Sequence, residues 1–265
     1  MNFLKSPLSF YRYLPALLIS AMLTGHAAAQ EEVEPTVVAL FGDSITVGFN
    51  AGYQVTDGNG TTQGGFPTIY LNNLFAAEPK RTVIVANWGR GGTSSGFGEQ
   101  VIKDTLNDNT AMYSGKKYYV LIMYGTNDAN IEIDSSTTAF NVGMMITKAK
   151  ESGYTPIVGN LTPRDDQLGE IQARNPKIRD TAAAFGAPLV DHYDRFWNYP
   201  GGWTNLIDPE VGSFDGVTRR LHPNNTGYFE IAQNWFDSVL AAAIEPDPLP
   251  PPIIMVPIIS LLLDD

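Results

Sequence analysis

TVVALFGDSIT, residues 36–46, holds five apolar residues in a row, Val37 to Phe41, and then breaks at Gly42-Asp43-Ser44. A short continuous Val/Leu/Phe run reads as a strand covered on both faces, because a strand with one wet face would alternate apolar and polar residues. The glycine ends the strand, and the polar pair after it stands where a parallel strand delivers side chains to a binding edge.

The same pattern recurs along the chain. Thr82–Asn87 (TVIVAN), Tyr118–Tyr124 (YYVLIMY), Thr155–Asn160 (TPIVGN) and Pro188–Asp191 (PLVD) read as four further strands. Helical periodicity lies between them, as in 136–152 and 169–185, and a last helix is predicted over 224–243 with Asn224 or Asn225 as its cap. Strand–helix–strand alternation predicts a three-layer α/β/α sandwich around a mostly five-stranded parallel sheet, flavodoxin-like in type. Each strand then ends on polar or glycine-rich residues: Gly42-Asp43-Ser44, Asn87-Trp88-Gly89, Gly125-Thr126-Asn127, Thr162-Pro163-Arg164 and Asp191-His192. Gly and Asn are ordinary turn formers, but a purely structural chain has no reason to load every such turn alike.

The termini read differently. Lys5 and Arg12 precede an apolar run, Leu14–Leu23, and Ala27-Ala28-Ala29 follows as a small-residue cleavage site. This is the layout of a secretory signal peptide over residues 1–29, with a retained membrane anchor as the alternative. Residues 30–245 are then the folded domain. Beyond them, the proline-rich stretch 246–252 and the apolar segment 253–263, interrupted by Pro257, lie in a C-terminal tail (246–265). That tail is too short to span a bilayer, and reads as a strap on the domain or as a contact to a partner or membrane interface.

Of the 265 residues, 43% are hydrophobic and 17% charged, with a net charge of −11. Cleavage of the signal segment removes two basic residues and no acidic ones, which takes −11 to −13. A surface this acidic repels nucleic acid, so a small neutral or cationic substrate is the expected partner. The chain has no cysteine, which excludes a thiol nucleophile, a disulfide framework and a Cys-ligated metal.

Ser44 in Gly-Asp-Ser-Ile could by itself be a serine capping the helix that follows. It is not the G-x-S-x-G elbow of α/β-hydrolases, since position 46 is Thr. Three further blocks follow in order: N-x-G-x-x-G (87–92), GTND (125–128), and a late Asp215 with His222-Pro223-Asn224. Together the four blocks resemble the SGNH, or GDSL, family of serine esterases and lipases, over nearly the whole domain. The resemblance implies that Ser44 is the nucleophile and His222 its general base. It also implies an oxyanion hole built from the backbone N–H groups of Ser44 and Gly92 and the side-chain amide of Asn127. The chemistry agrees: glycine lets a backbone N–H approach the substrate closely, an amide donates without charge, and imidazole titrates near neutrality.

One position departs from the family. Three residues before the histidine, where the family carries Asp, stands Arg219. Asp215 is the expected orienting acid, with Thr218–Arg220 read as an insertion that bulges into solvent, and Asp208 is the second candidate. His192 reads as a strand-end histidine making local hydrogen bonds. The glycine-rich 89–98 stretch lacks a phosphate-loop ending, and no H-E-x-x-H or second histidine offers a metal site, so no cofactor and no metal are expected. The implied activity is carboxylic ester hydrolysis. A carbohydrate O-deacetylase, with Trp197–Trp203 offering aromatic faces, and an inactive glycan-binding module on the same fold are the alternatives.

Overall fold

The computed structural model describes residues 34–49, 66–77, 81–211, 216–240 and 243–244. The predicted signal segment, the proline-rich tail and Asp215 lie outside them.

The five predicted strands are present: β1 (Thr36–Gly42), β2 (Val83–Asn87), β3 (Lys117–Met123), β4 (Thr155–Gly159) and β5 (Leu189–Val190). They pair in parallel in the order β2-β1-β3-β4-β5. Successive side chains on a strand point to opposite faces, so one apolar run feeds two cores. Val38, Leu40, Leu121 and Met123 pack on one side with Leu71, Phe75, Phe196, Tyr228 and Ile231. Ala39, Phe41, Val120 and Ile122 pack on the other with Ile102, Leu106, Val142, Met145, Ile171 and Ile178. The first core is closed by α2 (Phe66–Ala76), α6 (His192–Trp197) and α7 (Asn225–Trp235). The second is closed by α3 (Ser95–Met112), α4 (Ser135–Glu151) and α5 (Leu168–Ala184).

The chain leaves β1 in one direction to β2 and crosses back over β1 to β3. The switch point lies between β1 and β3, where parallel α/β sheets hold their ligands. Register makes the two strand ends level, with Gly42 paired to Met123. The turns carrying Ser44 and Asn127 therefore leave the sheet side by side. The last predicted helix ends as α7 at Trp235 and continues as one π turn, Phe236–Leu240. A two-stranded antiparallel ribbon absent from the sequence reading, β6 (Glu210–Val211) with β7 (Thr218–Arg219), precedes it.

Candidate active site

Ser44 opens a single helical turn, α1 (Ser44–Val47), capped by the Asp43 side chain accepting from Ile45 N at 3.0 Å. Gly42 is required there: a Cβ would strike Thr46 and the Met123 carbonyl. The Asp43 carboxyl is buried, and its second oxygen has no hydrogen-bond partner among the described residues. Burial raises its pKa to about 6, because a charge is costly to hold away from water.

His222 reaches this turn from the far end of the chain. Its Nε2 lies 2.8 Å from Ser44 Oγ, although the residues are 178 positions apart. Its Nδ1 lies 2.8 and 3.0 Å from the two carboxylate oxygens of Glu210, and its backbone N–H donates to Oε1 at 3.2 Å. Asn224 caps α7 through Gly227 N, which fixes the stretch carrying His222. Phe49 lies beside the imidazole, with ring centres 5.2 Å apart. Hydroxyl, imidazole and carboxylate thus stand in one hydrogen-bonded series, able to take a proton from the serine and hold the resulting cation.

The loop after β2 passes against the nucleophile: a Cβ on Gly91 would lie 3.7 Å from Ser44 Cβ. Gly92 has φ +74 with open space around its Cβ position, a conformation glycine adopts without strain. Asn87 locks this loop to α1, donating to Thr46 O at 2.7 Å and accepting from Gly89 N at 2.8 Å. Asn127 donates one amide hydrogen to Thr93 O at 2.9 Å, which fixes the side chain and leaves the second hydrogen of the amide as a further donor. Beside it, buried Asp128 accepts from Ser95 N, Ser95 Oγ and Thr138 Oγ1, tying the turn to α3 and α4.

Ser44, paired with His222, and the turns carrying Gly92 and Asn127 follow directly on the carboxyl ends of β1, β2 and β3. A profile of the GDSL-like lipase/acylhydrolase family matches residues 40–228. The chain belongs to that family. Solved structures with the same fold include a lipase/acylhydrolase from Enterococcus faecalis. It is 22% identical over 81% of this chain and 100% of its own, with a TM-score of 0.62. A member of the lipolytic G-D-S-L family from Veillonella parvula is 21% identical over 77% and 98%, with a TM-score of 0.56. A variant of an acetyl xylan esterase from Geobacillus stearothermophilus is 17% identical over 82% and 98%, with a TM-score of 0.57. A search among curated proteins finds no match.

Within this GDSL-like chain the histidine's carboxylate is not where the motif puts it. Asp215 falls outside the described residues, and the carboxylate found on His222 Nδ1 is that of Glu210. Asp208 instead accepts from Asn224 Nδ2 at 3.0 Å. Thr218–Arg220 is not a free bulge, although Thr218 is exposed. Thr218 and Arg219 form β7, and the two arginines meet acids on the loop after β4. Arg219 Nη1 lies 3.5 Å from Asp166 Oδ2, and Arg220 donates its backbone N–H to Asp165 Oδ1 at 2.8 Å. Sequence alone offered one missed signal for Glu210: Glu-Val and Thr-Arg flank a connection containing Asp215-Gly216, a dipeptide typical of hairpin turns.

His192 is a fully buried core residue, edge-on to Trp235 at 4.7 Å, and burial lowers its pKa to about 3. Trp203 packs against the core, while Trp197 stacks on Tyr193 at 5.4 Å and remains exposed. Among the described residues, no cluster of three or more His, Asp or Glu could hold a metal, and no helix is long and apolar enough to cross a membrane.

Proposed function

We propose that the chain is an exported serine ester hydrolase with the series Ser44–His222–Glu210 as its catalytic triad. The Ser44–His222 contact of 2.8 Å, made by residues 178 positions apart, carries the reading. Ser44 Oγ adds to the ester carbonyl carbon while its proton passes to His222 Nε2. The tetrahedral oxyanion takes hydrogen bonds from Ser44 N–H, Gly92 N–H and the Asn127 amide. The C–O bond to the alcohol then breaks, and His222 returns the proton to the departing oxygen. Water, deprotonated by the same imidazole, adds to the acyl carbon; the bond to Ser44 Oγ then breaks, His222 returns the proton to Oγ, and the acid leaves. Glu210 holds Nδ1–H throughout, which fixes the tautomer and stabilises the imidazolium as it forms. The leader-like residues 1–29 support export.

A second reading narrows the substrate to acetyl esters on carbohydrate. The exposed Trp197 supports it, as does the likeness in fold to an acetyl xylan esterase. The aligned serine, histidine and carboxylate speak against an inactive glycan-binding module. A panel of p-nitrophenyl esters from acetate to palmitate beside acetylated xylan, with Ser44→Ala as control, tests the proposal. Hydrolysis that survives Ser44→Ala at the wild-type rate contradicts it. Acetate release from xylan far exceeding turnover of the simple esters selects the second reading.

A further inference from the structure

Two residues per strand make a poor ribbon. An isolated antiparallel pair of that length is not stable in water by itself, so something outside it must hold β6 and β7 in place. The ribbon carries the carboxylate on His222, and an error of a fraction of an ångström there would spoil the hydrogen bond to the ring.

Charged contacts tie the ribbon to the loop after β4. Glu210 and Arg219 face each other directly across the ribbon, and side chains directly opposite project from the same face. Arg219 extends to Asp166, with both side chains mostly shielded, at 16% and 22% exposure. The Asp166 carboxylate is also gripped by Arg164, through Nε at 2.7 Å and Nη2 at 2.6 Å. Arg164 is itself buried. It also donates to Thr126 O at 3.1 Å and Asn130 Oδ1 at 3.0 Å, on either side of Asn127. The Arg220–Asp165 contacts fasten the end of β7 to the same loop.

We propose that Arg219 is a positioning residue for the orienting acid. Through Asp166 and Arg164 it seats the ribbon carrying Glu210 on the same support that braces the Asn127 turn. The position three before the histidine, where the family places its acid, here carries the cation that aligns an acid on the facing strand. This rests on the reading of Glu210 as the residue that orients His222.

A double-mutant cycle on the full chain tests it, with p-nitrophenyl acetate turnover and thermal melting followed for Arg219→Gln, Arg219→Lys, Glu210→Gln and Arg219→Gln/Glu210→Gln. Arg219→Gln should lower kcat roughly tenfold with KM within about twofold, and Arg219→Lys should recover most of it. In the Glu210→Gln background the Arg219→Gln change should cost less than about twofold, because the acid it aligns is gone. A kcat unchanged by Arg219→Gln, or an equal loss in both backgrounds, overturns the proposal while leaving the triad standing. A Glu210→Gln enzyme with wild-type kcat overturns the triad reading and this inference together. If Arg219→Gln does not fold, Asp166→Asn, which keeps an acceptor for Arg164, goes through the same cycle by the same criterion.

Discussion

Glu210 holds His222 at two points, the ring Nδ1 and the backbone N–H, from a strand twelve residues upstream. One carboxylate therefore fixes both the rotation of the imidazole and the path of the chain that presents it. The other ring nitrogen is left aimed at Ser44.

Replacing that carboxylate by an amide keeps the shape but removes the charge that stabilises an imidazolium and selects its tautomer. Glu210→Gln should lower kcat by about 10³ to 10⁴ with little change in KM. Asp208→Asn, which touches Asn224 and not the ring, should leave kcat within about twofold of wild type. Steady-state kinetics on p-nitrophenyl acetate for both variants checks this, and the reverse pattern would assign the acid to Asp208.

The two oxyanion donors proposed beyond Ser44 separate by variant. Asn127→Ala removes a side-chain donor and should cost about 10² to 10³ in kcat. Gly92→Ala meets no steric neighbour, but a Cβ at φ +74 costs roughly 1–2 kcal/mol of backbone strain. Its kcat should fall about tenfold or more as the loop relaxes and turns its N–H away. Kinetics and melting temperature together distinguish the two: Asn127→Ala should lose activity with the smaller loss of stability.

Asp43 gives the fold a pH-dependent stability. Burial holds its pKa at about 6, against 3.8 for the free side chain. Between those values the folded protein keeps a proton that the unfolded chain has released. The stability this contributes is full below about pH 4 and is lost as the pH rises through about 6. Asp43→Asn suffers no such loss, so its stability relative to wild type should rise between pH 4 and pH 7 by on the order of 3 kcal/mol. His192, whose pKa is lowered, makes the fold less stable as the pH falls from about 6.5 toward 3. That effect is common to both proteins and cancels in the difference. Urea unfolding of the pair at the two pH values reads it out, and a difference that does not change with pH contradicts it.

The sheet was legible because its signal is local. Five uninterrupted apolar runs, such as Val37–Phe41, can satisfy both faces only inside a covered parallel sheet. The places of Ser44, Gly92 and Asn127 after strand ends and of His222 before a helix cap were legible because each sits at a fixed offset from such a boundary. Glu210 was not. Its place depends on pairing across a ribbon too short to show periodicity, and on Arg219 meeting an acid 53 positions away. Arg219 and Arg220 read as solvated because charged side chains usually are. Asp165 and Asp166, which receive them, carry no motif. The burial of His192 was equally hidden, since only the packing of Trp235 and Gly159 around it makes a polar ring a core residue.

The most direct test is to find which residue forms the covalent bond. Incubation with an activated phosphonate ester, followed by intact-mass measurement and peptide mapping, should show one adduct per chain, on Ser44. Labelling should slow by orders of magnitude in His222→Ala. An adduct on another residue, or continued ester hydrolysis by a chain fully labelled at Ser44, would contradict the proposed mechanism.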